Sequence, residues 1–254
     1  MKNKFIIIIF LSSLLSTNNT SCDVCLQPFN NFYLEDVWGN KYHKVHGEDG
    51  VFCETCSRLI CKRITGGGFQ FNDGRYMCNL CENNIVKGNE TKLSSLDLVL
   101  TTLNEKGIVI NKNQLEINLL NKNSLQELIA PYSNHSPETI KAITFIKKNT
   151  YIINILWGLN QLEFEGVLAH EILHAWIDNN RIKLYDSNLE GFCSLGTALI
   201  YNNSTSKLSK VLLKSLNSDN DPVYGKGYRH MNNILEKYGW SKLVNELLNN
   251  NYNW

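Results

Sequence analysis

Six of the chain's eight cysteines stand in three Cys-x-x-Cys pairs, Cys22 with Cys25, Cys53 with Cys56 and Cys78 with Cys81, and His43 and His46 form a fourth pair with the same gap. No other feature limits the fold so strongly. A segment this short, with polar residues and glycines between the pairs, buries too little apolar surface to fold without staples. Two cysteines separated by two residues make a strained disulfide, but they set two thiolates on one tight turn where both reach the same tetrahedral ion. Four such pairs make two metal sites. Metal then provides most of the folding energy of the segment.

This arrangement resembles the LIM domain, a double zinc module that takes its ligands in sequential order. The resemblance implies that Cys22, Cys25, His43 and His46 hold a first zinc, and that Cys53, Cys56, Cys78 and Cys81 hold a second. His46 stands where LIM domains usually carry cysteine, and six residues rather than two separate His46 from Cys53. Cys61 is left over, and with the second site full it reads as a small buried residue. The run Thr65 to Tyr76 has glycine turn signals at both ends of a short alternating stretch, which predicts a β-hairpin between the third and fourth pairs. Its glycine triplet, Gly66 to Gly68, is not followed by Gly-Lys-Ser/Thr, so it is not a phosphate loop.

The second constellation is Leu168-Ala169-His170-Glu171-Ile172-Leu173-His174-Ala175-Trp176. Two histidines four apart lie on one face of a helix, so their imidazoles can converge on one zinc ion. Glu171 projects from the next position around, where a general base can take a proton from water without ligating the metal. A third ligand is needed, and Glu190 is the candidate: it opens a second apolar run, Ser187 to Ile200, that reads as an antiparallel helix. Two His, one Glu and an open position is the donor set of a catalytic zinc, whereas structural sites close with four protein ligands.

Around this motif the sequence predicts a small sheet and several helices, an α+β organisation. Leu96 to Leu103 has helical spacing; Gly107 to Ile110 and Leu115 to Leu120 look like strands; Ile140 to Ile146 and Tyr151 to Trp157 suggest a hairpin. The order of elements resembles that of zincin-class zinc peptidases, which implies Tyr151 to Asn160 as an edge strand beside the motif helix, while an ordinary sheet strand fits the same residues. Farther on, Asp221 to His230 reads as a glycine-rich turn leading into an amphipathic segment, Met231 to Tyr238. Tyr224, Tyr228, Arg229 and His230 are its candidate donors to an oxyanion.

Sheet, then His-Glu-x-x-His helix, then Glu helix is similar to the plan of zinc peptidases of the zincin class. Preceded by the LIM-like module, and followed by Tyr224-Gly225-Lys226-Gly227-Tyr228-Arg229 and Glu236-Lys237-Tyr238-Gly239, it resembles the LIM-containing, ubiquitin-activated peptidases of plants, the "DA-one" family, and their bacterial relatives. What this implies is zinc-peptidase activity with His170 and His174 as ligands, Glu171 as catalytic glutamate and Glu190 as third ligand. The cofactor is zinc, one catalytic ion and two structural, and the substrate is a protein or peptide. The LIM-like module would serve as a structural or partner-binding appendage. The alternative function is a non-catalytic zinc adaptor acting through that module. The ubiquitin-interacting helices of the plant proteins have no counterpart here, because only a leader precedes Cys22.

That leader is Lys2 and Lys4 followed by Phe5 to Leu11 and Ser12-Ser13-Leu14-Leu15, an export signal whose apolar core is too short to span a bilayer comfortably. Export favours disulfides; the spacing of the ligand pairs outweighs that prior. The expected layout is a leader over 1–21, the module over 22–82, a polar linker over 83–92 and a peptidase domain over 93–254, in a periplasmic or secreted protein, with lipid anchoring through Cys22 as the alternative. A net charge of +1 and the lack of a basic stripe argue against nucleic acid as a partner.

Overall fold

A computed structural model describes residues 21–30, 32–131 and 140–250, so the leader lies outside the described residues apart from its last position. The protein is a mixed α+β chain of two compact units, residues 1–85 and 86–254. Among the described residues no helix is long and apolar enough to cross a membrane.

The first unit is built twice from one plan. Each half opens on a cysteine knuckle in which the first cysteine's N–H and C=O close the turn: Cys22 N donates to Gln27 O and Leu26 N to Cys22 O, and Cys53 N donates to Arg58 O and Ser57 N to Cys53 O. The residue after the second cysteine takes the left-handed conformation in both, Leu26 at φ 65° and Ser57 at φ 59°. A small antiparallel hairpin follows, β1 (Leu34–Glu35) with β2 (Lys41–Tyr42) and β3 (Gly68–Gln70) with β4 (Tyr76–Cys78). Each hairpin feeds a short helix, α1 (Lys44–Asp49) capped by His43 and α3 (Asn79–Glu82) capped by Cys78. The predicted hairpin between the third and fourth pairs is therefore present. The apolar core of this unit is small, centred on Leu34, Tyr42 and Leu59 against Phe29 and Phe52.

Cys61 differs from expectation. It is half-exposed rather than buried, and its sulfur accepts from Ile64 N at 3.4 Å as the N-cap of α2 (Lys62–Thr65). A short polarisable side chain before a helix satisfies an otherwise orphaned N–H.

The second unit begins with α4 (Asn89–Asn104), which buries Leu96, Val99 and Leu103 along one stripe. Asn89 to Lys92 are thus its first turn and not linker. Gly107 to Ile110 do not form a strand: Gly107 at φ 83° ends the helix and Ile108 N returns to Leu103 O at 3.1 Å, burying Ile108 under the last turn. After a short 3-10 turn come β5 (Leu115–Leu120), α5 (Lys122–Ile129), β6 (Ala142–Lys147) and β7 (Thr150–Leu156). The sheet order is β5-β7-β6, with β5 parallel and β6 antiparallel to β7. The expected edge strand is thereby corrected: β7 is central, with Ile153 and Ile155 fully buried, and β6 is an edge.

Four helices complete the unit: α6 (Gln161–Asn179), α7 (Asp186–Asn202), α8 (Lys207–Ser218) and α9 (Tyr224–Leu248). α9 also corrects the sequence reading, since residues 224–230 are helical and not a turn; the helix breaks later, at Gly239, where φ is 75°. The glycines that resembled a turn serve a close crossing. A Cβ on Gly227 would stand 2.1 Å from Ser187 O, and one on Gly191 would stand 2.3 Å from Gly227 O, so α7 and α9 meet backbone to backbone. Phe192 packs at a tilt against Trp176 and edge-on against Trp240.

Candidate metal centres

A tetrahedral ion with metal–sulfur bonds of about 2.3 Å and metal–nitrogen bonds of about 2.0 to 2.1 Å sets its donors roughly 3.8 Å apart for S and S, 3.5 Å for S and N and 3.3 Å for N and N. Three clusters of side chains can be compared with those edges.

Cys22, Cys25, His43 and His46 converge with all donor atoms within 4.8 Å of one another. Cys25 Sγ lies 3.5 Å from His43 Nδ1, the S–N edge. The other nitrogen of His43, Nε2, is 3.2 Å from the Pro28 carbonyl, so the ring is oriented with Nδ1 toward the cysteines. Burial pushes the Cys22 thiol up, but donors around it, the backbone N–H groups of Cys25, His43 and Val24 foremost, outweigh burial and hold it below its ordinary value. Cys25 is exposed.

Cys53, Cys56, Cys78 and Cys81 form the second cluster and are all buried. Cys56 Sγ to Cys78 Sγ is 3.7 Å, the S–S edge, and Cys78 N donates to Cys53 Sγ at 3.4 Å. A hydrogen bond from Cys56 helps hold Cys53 down to about 7, and Cys78 is held low by Cys53 and Cys56, while hydrogen bonds from the same neighbours push Cys56 and Cys81 up. A dication held by these four sulfurs would let all of them ionise. Both clusters are zinc-type donor sets, and each gathers the four residues that the LIM resemblance grouped together.

The third cluster lies between α6 and α7. Asn160 caps α6 by accepting from Leu162 N, and the helix carries His170 and His174 on one half-buried face. Their Nε2 atoms are 3.1 Å apart. Glu190, in the first turns of α7, puts Oε2 3.1 Å from His170 Nε2 and 3.5 Å from His174 Nε2. Those three distances bracket the edge a zinc ion would set. Burial disfavours the Glu190 anion, yet the hydrogen bonds from both histidines bring its carboxyl down to about 2. Burial likewise opposes charging of His174, but the charged groups beside it, Glu190 and Glu171 among them, raise the imidazole to about 12. Cys193, fully buried, joins the two histidines within 4.8 Å, and burial pushes its thiol up.

Glu171 is buried and does not sit on the histidines. Thr144 Oγ1, from β6, donates to Glu171 Oε2 at 2.7 Å, which leaves Oε1 for another partner. Thr144 carries no signal in the sequence; only the pairing of an edge strand over α6 brings it there. Of the four oxyanion candidates, Tyr224 is the one whose phenol feels the charges of Glu190 and Glu171. Burial and the charges of Glu190 and Glu171 push its phenol up, so it stays a protonated donor. Asp221 fixes its position by accepting from Val223 N at 2.8 Å and Tyr224 N at 2.9 Å. Tyr228 is buried, with Glu236 rather than the cluster as its charged neighbour. Arg229 donates to the Asn217 and Asp219 carbonyls, and His230 is exposed.

The chain is similar to LIM proteins of the DA1 type. It is 22% identical to Protein DA1 of Arabidopsis thaliana over 89% of this chain and 55% of that protein. It is equally identical to DA1-related 1 of the same plant, over 91% and 54%. The LIM domain-containing protein HDR3 of rice, Oryza sativa subsp. japonica, is again 22% identical, over 91% and 61%. The chain thus spans a little over half the length of the curated relatives it matches. No family model matches the chain, and no solved structure does.

Proposed function

We propose that the protein is a zinc-dependent peptidase that works at His170, His174 and Glu190, with Glu171 as general base and the LIM-like unit as a structural or partner-binding appendage. The observation that carries this reading is the convergence of two imidazoles and one carboxylate at 3.1, 3.1 and 3.5 Å, beside a buried glutamate that is not one of the donors. Zinc bound there supplies Lewis acidity to a carbonyl oxygen and acidifies the attacking water. Glu171, steadied through Oε2 by Thr144, has Oε1 to take the water proton and return it to the leaving amine. Tyr224 offers an O–H to the developing oxyanion. β6 stands at the edge of the described sheet beside α6, where an extended peptide could add as a further strand, in keeping with a protein or peptide substrate met after export.

The test is Glu171→Gln, which keeps the shape of the side chain and the three donors. Zinc content should be unchanged and peptide cleavage should fall by roughly 10²- to 10⁴-fold, the usual contribution of a general base. Cleavage equal to that of the parent contradicts the reading. A second reading, a non-catalytic adaptor, is favoured by apolar side chains open on the first unit, Leu26 at 52%, Phe32 at 49% and Val45 at 53% exposure. Chelator-sensitive cleavage of a broad peptide library decides for the enzyme.

A further inference from the structure

Cys193 takes no part in the mechanism above, yet it stands at the metal centre. Its side chain is fully buried, and its sulfur lies within 4.8 Å of the ligand nitrogens of both His170 and His174. Glu190 and Cys193 are three apart on α7 as His170 and His174 are four apart on α6, the two spacings that put side chains on one helical face. Each helix therefore turns two donors toward the other. A buried cysteine is ordinarily a small apolar residue, and Cys193 does belong to the core behind it. Two imidazoles in front of it are what an apolar filler does not need.

We propose that Cys193 is a fourth protein ligand that closes the centre in the resting protein, leaving it latent until the thiolate gives way to water. The proposal deepens the peptidase reading and rests on it, because it assigns the regulation of the same site. Three protein ligands leave a position for chemistry and four do not. On ligation the thiol proton passes to solvent; on release the sulfur takes a proton back and the vacated position admits the attacking water. Ligand exchange needs no oxidant. It differs from closure by a lid in that the change is one bond within α7.

The experiment uses the full chain loaded with cobalt(II), whose bonds to thiolate absorb in the near ultraviolet. The cysteines of the first unit contribute a constant background, so the readout is the difference between parent and Cys193→Ser at equal cobalt content. A thiolate-to-cobalt band in that difference, and the same band lost in His174→Ala, is the expected result. Affinity for the third ion should also fall in Cys193→Ser by more than the roughly 10- to 100-fold that losing a merely hydrogen-bonded neighbour costs. Superposable parent and Cys193→Ser spectra overturn the proposal. If Cys193→Ser does not fold, the His174→Ala difference decides alone: a loss confined to the weak visible bands, with the near-ultraviolet unchanged, overturns it. Such a result leaves the peptidase reading intact wherever the parent cleaves and Glu171→Gln does not.

Discussion

At the scale of single residues, the account rests on side chains that spacing identifies and on others that only the fold brings in. His170, Glu171 and His174 are fixed by helical periodicity, and Glu190 follows from a short loop and an antiparallel helix, so these four were legible in the sequence. Thr144 and Tyr224 were not resolvable there. Thr144 reaches Glu171 across a strand pairing, and Tyr224 was one of four polar residues in a stretch that gave no means of choosing among them. Their roles are separable by kinetics. Thr144→Val removes one hydrogen bond to a carboxylate, about 1.5 to 3 kcal/mol, so kcat should drop by roughly 10- to 100-fold with zinc content unchanged. Tyr224→Phe keeps the ring and deletes the donor; kcat should fall by roughly 10²- to 10³-fold, as for other oxyanion donors, with KM little altered. A change confined to KM assigns Tyr224 to substrate binding instead.

At the scale of elements, the corrections at β7 and α9 each have their own physical cause. β7 reads as a strand, but its run Ile152 to Leu156 is apolar except for a buried Asn154, the mark of a strand covered on both faces and flanked by neighbours. β6 ends in exposed Ile146 and Lys147, as an edge does. The glycines before Met231 looked like turn residues because glycine breaks isolated helices; here they belong to a helix whose partner backbone leaves no room for Cβ. Gly227→Ala should therefore destabilise the second unit by about 1 to 3 kcal/mol, the usual range for overpacking, rather than stabilise a helix as alanine does at an open site. Thermal unfolding of the variant against the parent gives the sign. A raised midpoint means that α7 and α9 do not meet at Gly227.

At the scale of the whole molecule, tyrosine burial sets the alkaline limit. Burial raises Tyr42 in the first unit to about 12, and burial with the Asp178 hydrogen bond raises Tyr151 in the second to about 12. Both folded values exceed the unfolded value near 10. Their contribution is thus fully present below about pH 10 and is lost as pH rises toward 12. Unfolding midpoints should hold through neutral pH and fall over that window, and Tyr151→Phe should flatten the fall. The larger claim is that one chain of 254 residues carries three zinc centres of different kinds. The most direct measurement is zinc per chain in the purified full-length protein, joined to a thiol count after unfolding in chelator. The account predicts about three zinc ions, the two structural sites and one catalytic site, with all eight cysteines titrating as thiols. A single zinc ion with few titratable thiols contradicts it, because the cysteine pairs would then be disulfides and only the histidine centre would remain.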